Sequence, residues 1–598
     1  MEETFFHQLE AEDISPASAR PAAHLTAKLA EELAKCGVNF SPERNQWIAQ
    51  YWYDGNFLEK LQHNKLRVEK RMMSTLRNVQ KTPGLPETLQ DICLKNLETG
   101  VWEKTAESVF TDDMQRHYLP VSHVFNEAST STPVRIVTDS SFTDENGISL
   151  NMAQMKGENN IGNLRQTLLL ARFSPVLAAG DISKFYHSFA LTPQDQSLRP
   201  ILIPRDWTDP NSELEELYEA TMPFGDQNAG ALAVIGRIKN AELNSQDLDP
   251  KLREKVLQIY STRSYVDDVL AFCDPNESIE EVTGALTDVA EKGGFKFKGW
   301  VKCGDDTETK LLGYVWSPSE DVLRLKLWFN ISDVKRGMRA EPNLCLESLE
   351  KLRERKISKR QILMLQGQFF DPLCIFSPAV IKLRLLYSRV NLEVGHAEWD
   401  KEISPGLKRD LLDILEEILP LRDFPVPRFV GKLHNFTKKG SLIIFCDGSL
   451  VAFGAVAYWR PGSLEEKSTA QIIGSTVGIC NRKKTTAPRS ELLAACKATD
   501  LYLSMCDSLE KMFTVDQILF ITDSRAVLGQ LLHSGGKFNI FTGSRIDKIQ
   551  NSIEGHPWYW TPGPSNPADL LTRGTATFDE ITSPFWLNGN YIGSPIKD

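Results

Sequence analysis

Two sets of aspartates stand where apolar strands would end, and their spacing could bind divalent metal ions. Asp181 closes the apolar run 176–180, and Asp267 and Asp268 lie inside the run 263–272. Adjacent carboxylates in a buried strand are costly unless a hairpin turn exposes them or a cation neutralises them. Mg²⁺ prefers oxygen ligands, and two such ions about 4 Å apart can activate a hydroxyl and stabilise a leaving oxygen in phosphoryl transfer. An acidic turn between two strands is the ordinary alternative.

Four further carboxylates follow the order Asp–Glu–Asp–Asp across a predicted strand, helix, strand and helix. Asp447 and Asp523 each end an apolar strand, Glu491 lies at the start of a helix, and Asp569 lies in a helical first turn that Asn566 can cap. Acidic residues are common in a helical first turn, so each has an ordinary explanation on its own. Together they would repel one another without metal, and two Mg²⁺ ions would suit them to in-line phosphodiester hydrolysis.

The elements around these residues change along the chain. Residues 1–110 are polar and predicted helical, with a basic stretch at 65–81 that fits either a solvated helix face or a nucleic-acid contact. Short β-like runs then alternate with helices to about residue 320, at 134–141, 175–183, 199–206, 263–272 and 310–317. Residues 321–440 are more helical and end in a proline-interrupted stretch. From 441, strands followed by alternating helices and strands predict a separate α/β unit with a mixed sheet.

Many ordered motifs resemble those of a reverse transcriptase, and more closely those of the BEL/Pao class of LTR retrotransposon polyproteins. In chain order they are HYLP (117–120), VRIV (134–137), SLN (149–151) with KG (156–157), GDISKFY (180–186), PFG (223–225), YVDD (265–268), GGF (293–295) before Trp300, LLGY (311–314), FDPL (370–373) with Ser377-Pro378, Trp399-Asp400 and NPADLLTRG (566–574). The order of Asp447, Glu491, Asp523 and Asp569 also resembles that of an RNase H.

The resemblance implies roles for the matched residues. The metal ligands would be Asp181, Asp267 and Asp268 at one site and Asp447, Glu491, Asp523 and Asp569 at the other, with two Mg²⁺ or Mn²⁺ ions each. The dNTP site would comprise Arg135, Tyr186, Phe224, Gly225 and Lys298, and the primer grip Leu312, Gly313 and Tyr314. A guanidinium suits phosphate oxygens, a tyrosine ring beneath the sugar would exclude a 2′-hydroxyl, and glycine permits close backbone approach. A core aromatic and a solvated lysine are the alternatives for Tyr186 and Lys298.

The implied fold is a multidomain α+β chain, in which a right-hand polymerase precedes an RNase H-like α/β domain. The expected domains are a helical N-terminal extension (1–115), fingers and palm (116–320), a Pao-type thumb and connection (321–440), the RNase H-like domain (441–575) and a tail toward an integrase (576–598). The implied function is an RNA- and DNA-directed DNA polymerase with RNase H activity. Its partners would be an RNA template, a DNA primer, the RNA–DNA hybrid and dNTPs.

Two other functions stay open. A decayed or domesticated copy could persist as a nucleic-acid-binding or structural protein, although all seven expected metal-binding carboxylates are present. An RNA-directed RNA polymerase is disfavoured by Tyr186. The loop 560–565 lacks the histidine that many RNases H carry, and His556 precedes the predicted strand, so the sequence leaves proton transfer undefined. We expect neither an aspartic protease nor an integrase, because the Asp-Thr-Gly and Asp-Ser-Gly triplets and a His/Cys zinc pattern do not occur.

Composition sets the remaining bounds. The 598 residues hold 68 Lys and Arg against 79 Asp and Glu, a formal charge of −11 that on its face opposes nucleic-acid binding. Residues 321–390 reverse this, with 14 basic against 7 acidic side chains, and could contact a duplex through its phosphates. The ten cysteines form no CxxC pair, and neither a secretory signal nor an apolar run of roughly 18 residues occurs. We expect an intracellular, cytoplasmic protein of a virus-like particle with nuclear access and no membrane partner; the sequence leaves the oligomeric state open.

Overall fold

The computed structural model describes residues 37–104, 116–125, 133–155, 161–327, 329–331, 344–431, 436–462, 469–481, 485–532, 538–553 and 555–589. Lys156 and Gly157 of the motif that begins at Ser149 lie outside them. The strands are β1 Val38–Ser41, β2 Gln46–Ala49, β3 Trp102–Glu103, β4 Leu119–Phe125, β5 Val134–Thr138, β6 Val176–Ile182, β7 Phe189–Leu191, β8 Pro200–Pro204, β9 Leu214–Glu219, β10 Ser264–Tyr265, β11 Asp268–Cys273, β12 Phe297–Lys302, β13 Thr309–Leu311, β14 Tyr314–Ser317, β15 Val322–Leu325, β16 Val426–Pro427, β17 Lys439–Gly448, β18 Ala452–Pro461, β19 Gln471–Ile479, β20 Thr514–Thr522 and β21 Trp558–Trp560.

The α-helices lie between and after these strands. They are α1 Gly55–Leu58, α2 Lys65–Val79, α3 Leu85–Glu98, α4 Leu150–Ala153, α5 Leu164–Phe173, α6 Pro193–Ser197, α7 Ala229–Asn244, α8 Pro250–Thr262, α9 Ile279–Lys292, α10 Leu346–Glu354, α11 Lys359–Gln368, α12 Ser377–Val394, α13 Pro405–Ile418, α14 Ala487–Glu510, α15 Arg525–Leu532, α16 Ile540–Ser552, α17 Asp569–Arg573, α18 Phe578–Ile581 and α19 Pro584–Asn588. The chain is therefore a mixed α/β protein with several sheets.

The N-terminal part differs from the helical extension that the sequence predicts. Strands β1 and β2 form a hairpin there, and β2 pairs in parallel with β7. Trp47 and Ala49 of β2 are buried, while the residues between and before them are half-buried. Four-residue strands show too little alternation to be recognised against a polar background. This segment is thus part of the body of the protein, with α2 and α3 packed in a neighbouring core.

The first carboxylate set lies on a four-stranded sheet of order β10-β11-β6-β12. The central strand β6 is antiparallel to both β11 and β12. A Cβ at Gly180 would lie 2.8 Å from the ring of Trp300, so glycine lets β12 pack closely over β6. The sequence-predicted strands at 175–183 and 263–272 occur here, the second as a hairpin.

The second set lies on a five-stranded sheet of order β19-β18-β17-β20-β21. Strands β17, β18 and β19 are antiparallel, whereas β20 and β21 join in parallel. The helix α14 packs across β17 and β18 and buries Leu492, Ala495 and Met505. This arrangement confirms the mixed sheet that the sequence predicts from residue 441 onward.

Arginines bind the outer edge of this sheet to the rest of the chain. An edge strand carries unpaired carbonyls that need donors. The carbonyls of Ile472, Ser475 and Val477 on β19 accept hydrogen bonds from Arg172 (2.6 Å), Arg165 (2.7 Å) and Arg384 (3.0 Å). Helix α5, which carries two of these arginines, leads directly into β6. The two carboxylate-bearing sheets are consequently joined through the side chains of one helix.

Arg172 should be essential to this junction. Its guanidinium is buried and also donates to the carbonyls of Pro427 and Arg428, each at 3.2 Å. We expect Arg172→Ala to lower the free energy of unfolding by about 3–5 kcal/mol, because buried carbonyls lose their donors. Urea titration measures the loss. Arg389→Ala, which removes an exposed ion pair with Asp410, should cost less than about 1 kcal/mol, and equal losses would contradict the account.

Candidate metal and nucleic-acid site

Three carboxylates meet at one edge of the five-stranded sheet. Asp447 lies near the end of β17 and Asp523 directly follows β20, whose parallel pairing brings Cys446 opposite Thr522. Glu491 approaches from α14, and oxygen atoms of all three residues lie within 4.8 Å of one another. A Cβ at Gly448 would clash with the backbone of Glu491, so glycine allows the helix to reach the strand end.

The electrostatics of this trio favour a cation. Burial and the charges of Asp447 and Asp523 raise the pKa of Glu491 to about 8. Burial, opposed by the Thr572 hydroxyl, raises the pKa of Asp447 to about 6. Glu491 Oε2 and Asp523 Oδ1 are buried without a hydrogen-bond partner. Unpartnered carboxylate oxygens this close together fit a divalent ion such as Mg²⁺.

Asp569 is not in the group of carboxylates within 4.8 Å. It begins α17 and forms an ion pair with Arg573 at 2.7 Å, although its charge also raises the pKa of Asp447. The predicted cap is wrong: the N-cap is Ala568, and Asn566 instead donates to the Cys446 carbonyl (2.9 Å) and accepts from the Ala568 amide (3.1 Å). Asn566 therefore ties the loop to β17 rather than closing the helix.

The position of Glu491 also differs from the prediction. Helix α14 begins at Ala487, so Glu491 lies in its second turn, and no acidic residue lies in its first turn. The capping explanation consequently does not apply to this carboxylate. At this position Glu491 receives a backbone hydrogen bond from Gly448 of β17 and lies close to Asp447 and Asp523.

An aromatic residue, Trp560, borders the trio in the loop where the sequence has no histidine. The Trp560 indole donates to the Asp523 carbonyl at 3.0 Å, and the indole is partly exposed. The Arg525 guanidinium lies 4.7 Å from the centre of the same ring. His556 contacts Tyr502 of α14, with 3.4 Å between the ring nitrogen and the hydroxyl.

The first carboxylate set forms around the hairpin β10–β11. Asp268 pairs with Asp181 across the strands, and Asp267 lies in the two-residue turn after Val266. Val266 has a φ of 55°, a costly conformation for a β-branched residue. Its carbonyl accepts from the buried Arg237, and the Ile182 amide donates to the Asp267 carbonyl at 3.0 Å. These bonds hold the strained turn against β6.

This set is not as tightly gathered as the other. Among the described residues, the group of three carboxylates within 4.8 Å is Asp447, Glu491 and Asp523. Here the Lys298 ammonium lies 2.8 Å from Asp181. Burial and the charges of Asp267 and Asp181 raise the pKa of Asp268 to about 7. The oxygen donors still fit divalent ions, with Lys298 as the present counter-charge.

The residues predicted to bind dNTP lie beside this hairpin. Phe224 is central, because its ring centre lies 5.1 Å from that of Tyr186 and 5.9 Å from the Arg135 guanidinium. Burial, and then the charge of Asp267, raise the pKa of Tyr186, so the phenol lies near the carboxylates. Gly225 is exposed with a φ of 101°, a conformation that glycine adopts without cost.

The predicted primer grip stays a prediction, and two of its three residues are buried. Leu312 and Tyr314 are buried, and the Tyr314 hydroxyl donates to Asp371 and accepts from the Leu373 amide (3.1 Å). Gly313 completes the turn with a φ of 104° beneath the ring of Phe370. The LLGY and FDPL motifs therefore form one structural junction, and the exposed group on it is Phe370.

Part of the basic excess of 321–390 is used inside the protein. Lys335, Arg336 and Arg339 lie outside the described residues. Lys359 and Lys382 are buried, and Lys359 donates to the carbonyls of Gly395 (2.9 Å) and His396 (2.7 Å). Lys359 thus satisfies main-chain groups, whereas Lys351, Arg353, Lys356 and Arg360 are exposed.

Sequence reasoning missed several residues that shape the sites. Asn151 donates to the Gly225 carbonyl (3.0 Å) and thereby holds the PFG turn. Burial lowers the pKa of Lys310, and the nearby charges of Lys326, Arg135 and Lys298 lower it further. The SLN motif was a usable signal for Asn151. Neither Lys310 nor Lys326 carries a motif, because only the sheet brings them toward Arg135.

Fold and carboxylate trio together define an RNase H-like domain within a larger mixed α/β chain. Residues 358–524 match the family of the Pao retrotransposon-like RNaseH-like domain, which confirms the BEL/Pao resemblance of this pol region. The match begins in α-helices before the sheet and includes Asp447, Glu491 and Asp523. No curated protein matches the chain. No helix of the described residues is both long and apolar enough to span a bilayer.

Three solved structures of a foamy viral protease-reverse transcriptase are similar to the chain at 14% identity. The dRH form with double-stranded DNA has a TM-score of 0.49 and covers 78% of this chain and 68% of that one. The complex with RNA/DNA hybrid has a TM-score of 0.49 and covers 82% of this chain and 55% of that one. The complex with double-stranded DNA has a TM-score of 0.46 and covers 79% of this chain and 82% of that one.

Removing one charge from the trio should stabilise the metal-free protein. The folded-state pKa of Glu491 is raised to about 8, so wild type should lose stability as the pH rises from about 4.5 to about 8. We expect Glu491→Gln to raise the melting temperature in EDTA, with a gain that grows over that range. Mg²⁺ should stabilise wild type more than this variant. Thermal melting at pH 5 and pH 8.5 measures both effects.

Glu510→Gln is the matched control, since this exposed glutamate lies on the same helix. It should leave the melting temperature and the Mg²⁺ response unchanged. A Glu491→Gln variant that is less stable than wild type in EDTA at pH 8.5 would show that the trio is not under charge repulsion.

Proposed function

We propose that the chain is an RNA- and DNA-directed DNA polymerase with RNase H activity. The observation that carries the proposal is the presence of two carboxylate sets at strand ends of separate sheets, one of them beside Arg135, Tyr186 and Phe224. A single hydrolase would need only one such set. The Pao retrotransposon-like domain supports a retroelement source for both.

At the RNase H-like site, Asp447, Glu491 and Asp523 would hold divalent ions, with Asp569 completing the set after release from Arg573. Bound ions would activate the attacking oxygen and stabilise the leaving oxygen at this site and at the polymerase site. The exposed Trp560 and Arg525 border the RNA strand in this proposal. The substrate is the RNA of an RNA–DNA hybrid.

At the polymerase site, Asp181, Asp267 and Asp268 would be the metal ligands and Arg135 would bind the triphosphate oxygens through its guanidinium. Tyr186 packs against Phe224, and its ring would occupy the space that a ribonucleotide 2′-hydroxyl needs. Lys298 would reach the pyrophosphate from its present place beside Asp181. Gly225 offers exposed backbone to the nascent base pair.

The wider organisation follows from these roles. The fingers and palm would be residues 116–320, the thumb and connection 321–440, and the RNase H-like domain 441–575. Partners would be an RNA template, a DNA primer and dNTPs, with Mg²⁺ or Mn²⁺ as cofactor. The protein would act in the cytoplasm within a virus-like particle, with access to the nucleus.

The two activities should separate by mutation. We expect wild type to extend oligo(dT) on poly(rA) with Mg²⁺ and to cut the RNA of a hybrid. Asp267→Asn should reduce extension at least about 100-fold and spare cleavage, because charge stabilisation is lost at one site. Asp447→Asn should do the reverse. Asp288→Asn, on an exposed helix position, is the control and should change neither.

Absence of dNTP incorporation and of hybrid cleavage by wild type would reject the proposal. Binding of a hybrid without either activity would instead favour a retained nucleic-acid-binding protein. Full extension by Asp267→Asn would reject the polymerase ligands named above.

Sugar selection should depend on the phenol of Tyr186. We expect Tyr186→Val to admit ribonucleotides, because the smaller side chain leaves room for the 2′-hydroxyl. The measurement is the ratio of dNTP to rNTP incorporation efficiency, which should fall at least tenfold. Tyr265→Phe, which keeps the ring of the hairpin tyrosine, should preserve the ratio. An unchanged ratio for Tyr186→Val would show that this residue only packs the core.

A further inference from the structure

A buried ion pair follows the PFG turn. Arg199 Nη2 lies 2.7 Å from Asp226 Oδ2, and both side chains are fully buried. Arg199 Nε approaches the same oxygen at 3.2 Å. Its Nη1 donates to the Tyr53 hydroxyl (2.9 Å) and the Asp195 carbonyl (3.0 Å). The guanidinium also stacks on Tyr51, 4.2 Å from the ring centre, so its place is fixed from every side.

The carboxylate of Asp226 reaches a second strand. Its Oδ1 accepts from the Ser140 hydroxyl at 2.5 Å, and Ser140 is buried just beyond β5, the strand of Arg135. On the same strand, the Thr138 hydroxyl donates to Glu219. A Cβ at Gly225 would lie 3.6 Å from the Thr138 carbonyl. The PFG turn is therefore seated on the end of the strand that carries Arg135.

A second bridge repeats this link at the surface. The Asn151 amide donates to the Ser141 hydroxyl (2.8 Å) and to the Gly225 carbonyl (3.0 Å). Its oxygen accepts from the Gln227 amide at 3.1 Å. Two independent contacts thus join the residues after β5 to both sides of Gly225.

Stability alone does not explain the buried charges. Desolvating an ion pair costs about as much as its attraction returns, and apolar residues of similar volume often serve as well. Glu219 adds to the cost, since burial and the charge of Asp226 raise its pKa to about 8 and one of its oxygens has no hydrogen-bond partner. Unlike an apolar contact, such a pair fixes the orientation of the groups it joins, because the donors of a guanidinium lie in a rigid plane.

We propose that Arg199 and Asp226 are positioning residues, which fix the Phe224–Gly225 turn relative to Arg135 and so set the geometry of the incoming dNTP. The inference rests on the proposed polymerase function. Neither residue touches the reacting atoms; each acts through Ser140 and the turn.

Single-turnover dNTP incorporation by the full chain tests this inference, because it separates dNTP affinity from rate and does not depend on the active fraction. Arg199→Lys keeps the charge but loses the fork, and Asp226→Asn keeps the shape but loses the charge. We expect each to weaken dNTP binding at least tenfold while RNase H cleavage stays at the wild-type level. Ser140→Ala removes one hydroxyl and should weaken binding about threefold.

Two further variants keep the test decisive. The apolar pair Arg199→Met with Asp226→Leu should fold and still bind dNTP weakly, since packing is retained and direction is lost. Arg205→Lys alters an exposed ion pair with Glu213 and should behave as wild type. Wild-type dNTP affinity in the folded Arg199 and Asp226 variants would overturn this inference alone. No incorporation by wild type would overturn the proposed polymerase and, with it, this inference.

Discussion

The structure is organised around carboxylates held closer together than their charges favour. At the RNase H-like site, carboxylate oxygens of three side chains lie within 4.8 Å of one another. At the other site, Asp268 faces Asp181 across paired strands. Carboxylates this close cannot all be ionised cheaply without a cation. The surrounding secondary structure holds these carboxylates in place. At the RNase H-like site this is done by the parallel pairing of β17 with β20 and by Gly448, and at the other site by the strained turn at Val266.

Buried arginine side chains join the elements that carry these carboxylates. Arg172 ties helix α5 to the edge of the RNase H-like sheet, and Arg428 binds Asp321 together with the carbonyls of Ala171 and Ser174 at 2.6 Å. Arginine suits this use because its donors spread in a plane and stay charged. The net charge of the chain is negative, yet several of its arginines are buried and donate to main-chain carbonyls. The formal charge of −11 says little about the surface that a duplex would meet.

The sequence predicted the strand-end carboxylates well because they interrupt apolar runs, and a charge in such a run is a strong local signal. It predicted the mixed sheet for a similar reason. The sequence could not give contacts that tertiary packing decides. The burial of Leu312 and Tyr314, and the hydrogen bond from the Tyr314 hydroxyl to Asp371, are examples. The ion pair of Asp569 with Arg573 and the hydrogen bond of Asn566 to β17 are two more such contacts. Pairs such as Arg199 and Asp226 are 27 residues apart and leave no periodic trace.

The central claim is that both carboxylate sets bind metal ions in one chain. Anomalous diffraction from crystals grown with Mn²⁺, an RNA–DNA hybrid and a non-hydrolysable dNTP tests it most directly. We expect peaks within coordination distance of Asp447, Glu491 and Asp523, and separately of Asp181 and Asp267. Peaks at neither set, with the nucleic acid seated over both, would contradict it.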